Sequence, residues 1–298
     1  MLRKLGGSMI RNLTPFSKNL LASGRMRFST DPSNNPFGEK KAYTDNVQSQ
    51  IKAGEVVTKN VGIHKFVTRI YNTTALSVIG ALGGAYVGMT IPALMMSPLA
   101  TSLIGTLVAI GSFVGVQSMR PQNVVENVHG APNPILKTQN SVSRILLYSL
   151  GVLSLGISTS PLFAYMQMAH PSVITASLGV TLGIFGGASA ISYALPKDQM
   201  LGYGKIFGGA LLGLIGMQLV GLGSAYFMGP NALSSLLFNI NNYAGILLFM
   251  GLIGYDTHVA IKEYELGNAD HLAVSVQMLL NFWNILVRVM QIMSQFKD

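Results

Sequence analysis

Asp256 closes a run of apolar residues, AGILLFMGLIGYD over 244–256, and Thr257, His258 and the charged stretch 262–265 follow it. A carboxylate in an apolar helix is costly: about 2.5–3.5 kcal/mol for an ionised Asp at the bilayer centre, less near an interface. Two readings stand. Asp256 marks the water boundary of its helix, or it faces an internal cavity and binds a cation or carries a proton, as intramembrane ionisable groups commonly do. A second set of polar residues bears on the choice. Gln277, Asn281, Asn284, Arg288, Gln291 and Gln295 follow one another at steps of four, three, four, three and four. That spacing puts them on one side of a helix. The other faces carry Leu279, Leu280, Phe282, Ile285, Leu286, Val289, Ile292 and Met293. Such a helix either lies at the interface with its polar side in water or stands centrally in a bundle, its stripe lining a hydrated path. The nearby Asp256 favours the second. On this reading Asp256, Asn281, Asn284 and Arg288 line a cation or proton route, and Asp256 is the ligand for the metal cation in transit. Arg288 requires a partner, and Asp256 is one candidate.

Composition says what must position these groups. The chain has 298 residues, of which only 10% are charged, and a mean hydropathy of +0.44, whereas a soluble domain carries about 25% charge. The class is therefore all-α, a polytopic membrane protein. Segments long enough to span, about 20 apolar residues each, occur at 73–91, 99–118, 145–165, 172–194, 206–228, 238–256 and 272–293. Prolines and glycines break the chain between them. The last span is the least apolar. With the N-terminus on side one, the connections there carry Lys65 and Arg69, then Arg120, Lys137 and Arg144, then Lys197 and Lys205, then Lys262. The opposite connections, 92–98, 166–171 and 229–237, contain no Lys or Arg. The positive-inside rule predicts this asymmetry for an odd number of spans. Gly80, Gly84 and Gly88, then Gly179, Gly183 and Gly187, then Gly209 and Gly213 lie at helix-packing intervals, which predicts close backbone approach along these faces.

The net charge of +9 invites a nucleic-acid reading. However, 12 of the 20 Lys and Arg precede Thr73, and no basic groove alternates with aromatics. The charge reads instead as an address. Residues 1–30 hold Arg3, Lys4, Arg11, Lys18, Arg25 and Arg27 with no Asp or Glu, and Arg27-Phe28-Ser29 resembles a matrix-processing site. This Arg-rich, acid-poor pattern is that of a mitochondrial transit peptide. It places the protein in the inner membrane, multi-pass, with its N-terminus in the matrix. The expected organisation is a transit peptide over 1–30, a polar segment over 31–70 and a seven-helix domain over 71–298.

Enzyme chemistry finds little support. Without cysteine there are no disulfides, thiolate metal sites or thiol nucleophiles. His258, Glu263 and His271 match no zinc spacing. Ser224 lacks the Gly-x-Ser-x-Gly elbow of a hydrolase, and no Walker loop or dinucleotide fingerprint occurs. Glu126, His129 and Pro132-Asn-Pro134 read as a solvated loop. No resident cofactor is expected.

The stretch AGILLFMGLIGYDTHVAIKEYE, then Asp270, then LLNFWNILVRVMQIM, resembles the C-terminal signature of the transmembrane Bax-inhibitor motif family. Residues 169–222 and Gly156–Pro161 resemble its pattern too, so the likeness covers roughly 70–295. With the transit-peptide pattern, it resembles the mitochondrial branch of that family. The resemblance implies a seven-helix bundle around a central last helix, and a pH-sensitive calcium path in which two facing aspartates share a proton. Asp256 matches the first. The second falls in a Leu-Asp-Phe pattern that here reads Leu280-Asn281-Phe282. Asn281 can hydrogen-bond Asp256 but cannot ionise or repel it, so the two-carboxylate switch is altered. The transported species implied are Ca2+ and H+. The partners expected are the lipid bilayer and other inner-membrane proteins or further copies of the chain. The alternative function is structural, organising cristae and restraining cytochrome c release and apoptosis.

Overall fold

The computed structural model describes residues 36–119, 121–126, 135–196, 199–229 and 231–296, with side chains from residue 61 onward apart from 123–137. The transit-peptide region 1–30 lies outside the described residues. The chain divides into two units, Met1–Ala53 and Gly54–Asp298. The first helix begins within the residues of the first unit, and the packed helices belong to the second.

Helix α1 (Pro36–Thr90) is followed by a single turn, α2 (Pro92–Met95), and by α3 (Pro98–Ser118). Two short antiparallel strands come next, β1 (Gln122–Glu126) and β2 (Ile135–Gln139), in a register that pairs Gln122 with Gln139 and Glu126 with Ile135. Then come α4 (Val142–Ala169), α5 (Pro171–Ala194), α6 (Gly204–Met228), α7 (Ala232–Glu265) and α8 (His271–Gln295). Among the described residues, seven helical segments are long and apolar enough to cross a membrane, from Val61–Thr90 to His271–Gln295. Each contains or closely overlaps one of the seven spans read from hydropathy. The protein is an all-α polytopic membrane protein.

Local chemistry sets the helix ends. Ser141 caps α4 by accepting from the Arg144 amide at 3.3 Å. Asn231 and Ser234 cap α7 reciprocally, and Asp270 caps α8 by accepting from the Ala273 amide at 3.2 Å. Such caps satisfy amides that the first turn leaves without partners. Gly267, at φ +90°, ends α7 in the left-handed conformation that favours glycine. Pro161 sits inside α4 without ending it. Proline cannot donate to the carbonyl of Ile157, and the Ser160 hydroxyl does so in its place at 2.8 Å.

The last helix is the hub. Leu279, Phe282, Leu286 and Met290 of α8 pack into a cluster with Val78, Ala81 and Ala85 of α1, Phe113 and Val116 of α3, and Phe163 of α4. Another face of α8, with Met278, Ile285 and Val289, meets Phe249 and Ile253 of α7 and Ile63, Phe66, Val67 and Ile70 of α1. Ile285 and Met290 are wholly buried. The span expected to be the least apolar is thus the central one, although Val61–Thr90 has the lower mean hydropathy, 1.2 against 1.5. A helix surrounded by protein need not be uniformly apolar, because its polar groups find partners there rather than lipid.

Packing of the bundle reaches back to Ile63, within the expected polar segment 31–70, because Ile63, Phe66, Val67 and Ile70 form one apolar stripe interleaved with His64, Lys65 and Arg69. Of the expected solvated loop, His129 and Pro132-Asn-Pro134 lie outside the described residues, while Glu126 ends β1; Thr138 of β2 donates to the Ala269 carbonyl just before α8.

The glycine faces divide. A β-carbon on Gly84 would strike the Leu153 backbone and one on Gly156 the Ala81 carbonyl, so α1 and α4 touch backbone to backbone. At Gly179, Gly183, Gly187, Gly209 and Gly213 nothing lies within 4 Å, so the predicted close approach does not occur there. In lipid no hydrophobic force draws helices together. Among the described residues, small residues contribute close packing at the α1–α4 contact and at the α3–α4 contact, where a β-carbon on Gly105 would strike the Ser158 backbone.

Candidate functional site

Helices α7 and α8 run antiparallel, joined by the turn 266–270, and this brings Asp256 and Asn281 side by side. The Asn281 amide donates to Asp256 Oδ2 at 2.7 Å. Asp256 is half-buried and Asn281 is buried. The other carboxylate oxygen has no hydrogen-bond partner among the described residues. Asn281 serves either state of its neighbour, since its NH2 donates to a carboxylate and its oxygen accepts from a carboxylic acid. Next to Asp256, Thr257 turns inward, donating to the Ile253 carbonyl at 2.7 Å and contacting the Tyr71 hydroxyl at 3.3 Å.

No group of three or more His, Asp or Glu that could hold a metal ion occurs among the described residues. A cation at Asp256 would meet one carboxylate, an amide and water. That oxygen set is far short of the 6–8 ligands of a calcium storage site and suits passage rather than retention. His258 places its Nε2 3.1 Å from the Ser192 carbonyl of α5, and Glu263 accepts from Asn268 at 3.2 Å.

Arg288 does not pair with Asp256. Its Nη1 donates to Asn241 twice, to the backbone oxygen at 2.7 Å and to Oδ1 at 2.5 Å, and its guanidinium stands 5.5 Å from the Phe249 ring centre. Asn241 in turn donates to the Leu214 carbonyl of α6 at 2.6 Å. Gly245 makes room, because a β-carbon there would collide with the guanidinium. Along α7, Asn241 and Asp256 are separated by about 22 Å at 1.5 Å per residue.

The polar stripe of α8 is therefore partitioned. Gln277 is exposed, Asn281 serves Asp256, and Asn284, Arg288, Gln291 and Gln295 line a cavity of about 570 Å³ between α6, α7 and α8. Asn284 itself donates back to the Leu280 carbonyl at 2.9 Å. Neither Asp256 nor Asn281 borders the cavity. The stripe does not form one continuous hydrated path in this conformation: Phe249, Ile253 and Ile285, all buried, pack between these helices.

A third polar cluster lies at the start of α8. Arg144, 1% exposed, pairs with Asp270 at 2.5 Å, donates from Nε to the Val116 carbonyl at 3.0 Å, and bonds Asn140. The sequence reading counted Arg144 only as a loop charge and left out Asn241, Asn242 and Gly245. Two adjacent asparagines at 241 and 242 inside an apolar run were an available signal, since at least one must face protein or water.

Comparison with known proteins follows this architecture. The family model described as "Inhibitor of apoptosis-promoting Bax1" matches residues 63–298, close to the start of the packed bundle. An uncharacterised protein of Caulobacter vibrioides is 28% identical over 236 residues, 76% of this chain and 86% of that protein. Human Bax inhibitor 1 is 23% identical over 228 residues, 76% of this chain and 84% of that protein. The growth hormone-inducible transmembrane protein of Rattus norvegicus is 27% identical over 118 residues, covering 37% of this chain and 32% of that protein. The extent of the family match, together with seven helices around a buried last one, makes this chain a member of the Bax inhibitor family of multi-pass membrane proteins.

Proposed function

We propose that the protein provides a cation pathway through the mitochondrial inner membrane, a calcium leak or a calcium/proton exchange, with its N-terminus in the matrix. One observation carries this reading. Asp256 is a half-buried carboxylate inside an apolar bundle, held through one oxygen by Asn281 with the other oxygen unpartnered among the described residues. Asp256 binds the cation or carries the proton, Asn281 steadies it in both protonation states, and Asn284 and Arg288 line the polar route on the far side. Opening requires α7 and α8 to part around Phe249, Ile253 and Ile285. The acid-free, Arg-rich residues 1–30 support the compartment, as does the likeness to a growth hormone-inducible transmembrane protein. An inside-negative potential favours calcium entry by about 4.6 kcal/mol per 100 mV for two charges, so efflux needs proton coupling.

The test is calcium flux into dye-loaded liposomes holding the purified chain, with and without a pH gradient. Flux that follows the gradient and collapses in Asp256→Asn is the expected result. Flux unchanged by the substitution removes Asp256 from the pathway.

A second reading rests on a different observation. The open glycine faces of α5 and α6 are free to meet another protein in the bilayer, which suits a structural role in cristae or in restraining apoptosis. That role predicts disturbed cristae on deletion, fully restored by an Asp256→Asn copy.

A further inference from the structure

The cavity between α6, α7 and α8 presents chemistry beyond what a cation route requires. Its side-chain lining is amide, hydroxyl and apolar groups with one charge, the guanidinium of Arg288, and no Asp or Glu borders it. Arg288 is about nine-tenths buried and makes no ion pair among the described residues. Only Nη1 is engaged, on Asn241, and Nε is buried without a partner. Asn242, 2% exposed and also lining the cavity, leaves its Nδ2 unpartnered. A third lining residue, Asn239, has a buried Oδ1 with no donor. A buried cation and buried donors are stabilised only when an acceptor or counter-charge meets them.

We infer that this cavity is a phosphate site: Arg288, Asn242 and Asn239 line it, their unpartnered atoms are closed off from water in this conformation, and on small side-chain rotations Arg288 and Asn242 donate to an oxyanion while Asn239 accepts from a hydroxyl on the same ligand. Phosphate satisfies both demands, because a monoprotonated phosphate, free or as the monoester headgroup of phosphatidic acid, brings anionic oxygens and a P–OH together. Guanidinium groups favour such oxyanions through charge-assisted hydrogen bonds. The ligand has two possible sources, inorganic phosphate from the aqueous side or the headgroup of an anionic phospholipid. The site does not depend on the cation reading. If both hold, an occupied site cancels the Arg288 charge that would otherwise repel a cation beside Asn284.

The experiment uses the full chain. Binding of radiolabelled orthophosphate is measured by equilibrium dialysis in maltoside detergent. Retention of phosphatidic acid is measured by native mass spectrometry from phosphatidylcholine nanodiscs. One saturable site per chain for orthophosphate identifies the aqueous source. Retention of phosphatidic acid alone identifies the lipid. Arg288→Gln should weaken whichever binds at least roughly tenfold, the ratio that about 1.4 kcal/mol represents. Asn242→Leu, which keeps Arg288, should weaken it several-fold and remains informative if Arg288→Gln fails to fold. The inference is overturned if neither probe binds saturably, or if the folded variants bind as tightly as the native chain.

Discussion

Asp270→Asn isolates what the buried ion pair at the base of α8 contributes. Asparagine keeps an oxygen that can accept from the Ala273 amide, so the helix cap survives while the charge is lost. Arg144 is then left 1% exposed with neutral partners only, Asn140 and the Val116 carbonyl. Removing one member of a buried ion pair costs about 3–5 kcal/mol, because the other charge stays buried. For a unit the length of Gly54–Asp298, 1 kcal/mol corresponds to about 2–4 °C in unfolding temperature. The Tm in detergent should therefore fall by roughly 6–20 °C. Arg144→Met should cost less, since Asp270 lies at a helix N-terminus whose amides favour a negative charge. The double variant should recover part of the loss, because neither charge then stands alone. Thermal unfolding followed by circular dichroism on all four proteins gives the coupling directly. If Asp270→Asn unfolds with the native protein, or if the two single losses simply add, the pair does not hold the α7–α8 turn to α3 and α4.

Other perturbations separate further parts of the argument. Asn281→Leu removes the hydrogen bond to Asp256, about 1.5–3 kcal/mol to a charged acceptor; in an Asp256→Leu background the same change should cost clearly less, and equal losses would sink the coupling. Asn281→Asp sets a second carboxylate against Asp256 at a 2.7 Å contact, and liposome calcium flux should then depend more strongly on pH than in the native chain. Gly156→Val should destabilise severely by driving a side chain into the Ala81 carbonyl, while Gly183→Ala, in open space inside a helix, should be neutral or stabilise by up to about 1 kcal/mol in the same melts. Gly245→Val should displace the Arg288 guanidinium from Asn241, read as a lower Tm that Arg288→Gln in the same chain partly restores.

Sequence alone determined the class and the seven spans, and the family resemblance pointed to Asp256 and position 281 as facing neighbours. The spans follow from local free energies: the transfer of about 20 residues into lipid and the cost of a charge there. The stripe on α8 was legible as a period. What the stripe faces was not, because a period fixes which residues share a side and says nothing of which neighbour that side meets. Only tertiary structure decided that Arg288 serves Asn241 and a cavity while Asp256 serves Asn281. It also decided that Gly84 and Gly156 touch backbone while Gly183 and Gly213 face outward, although all four sit in similar small-residue patterns. Arg144 and Asp270 illustrate the same limit. They lie 126 positions apart in connections that composition describes only as charged and polar. Their pairing depends on α4 and α8 meeting in space, and that rotation and placement is set by packing among all the helices at once.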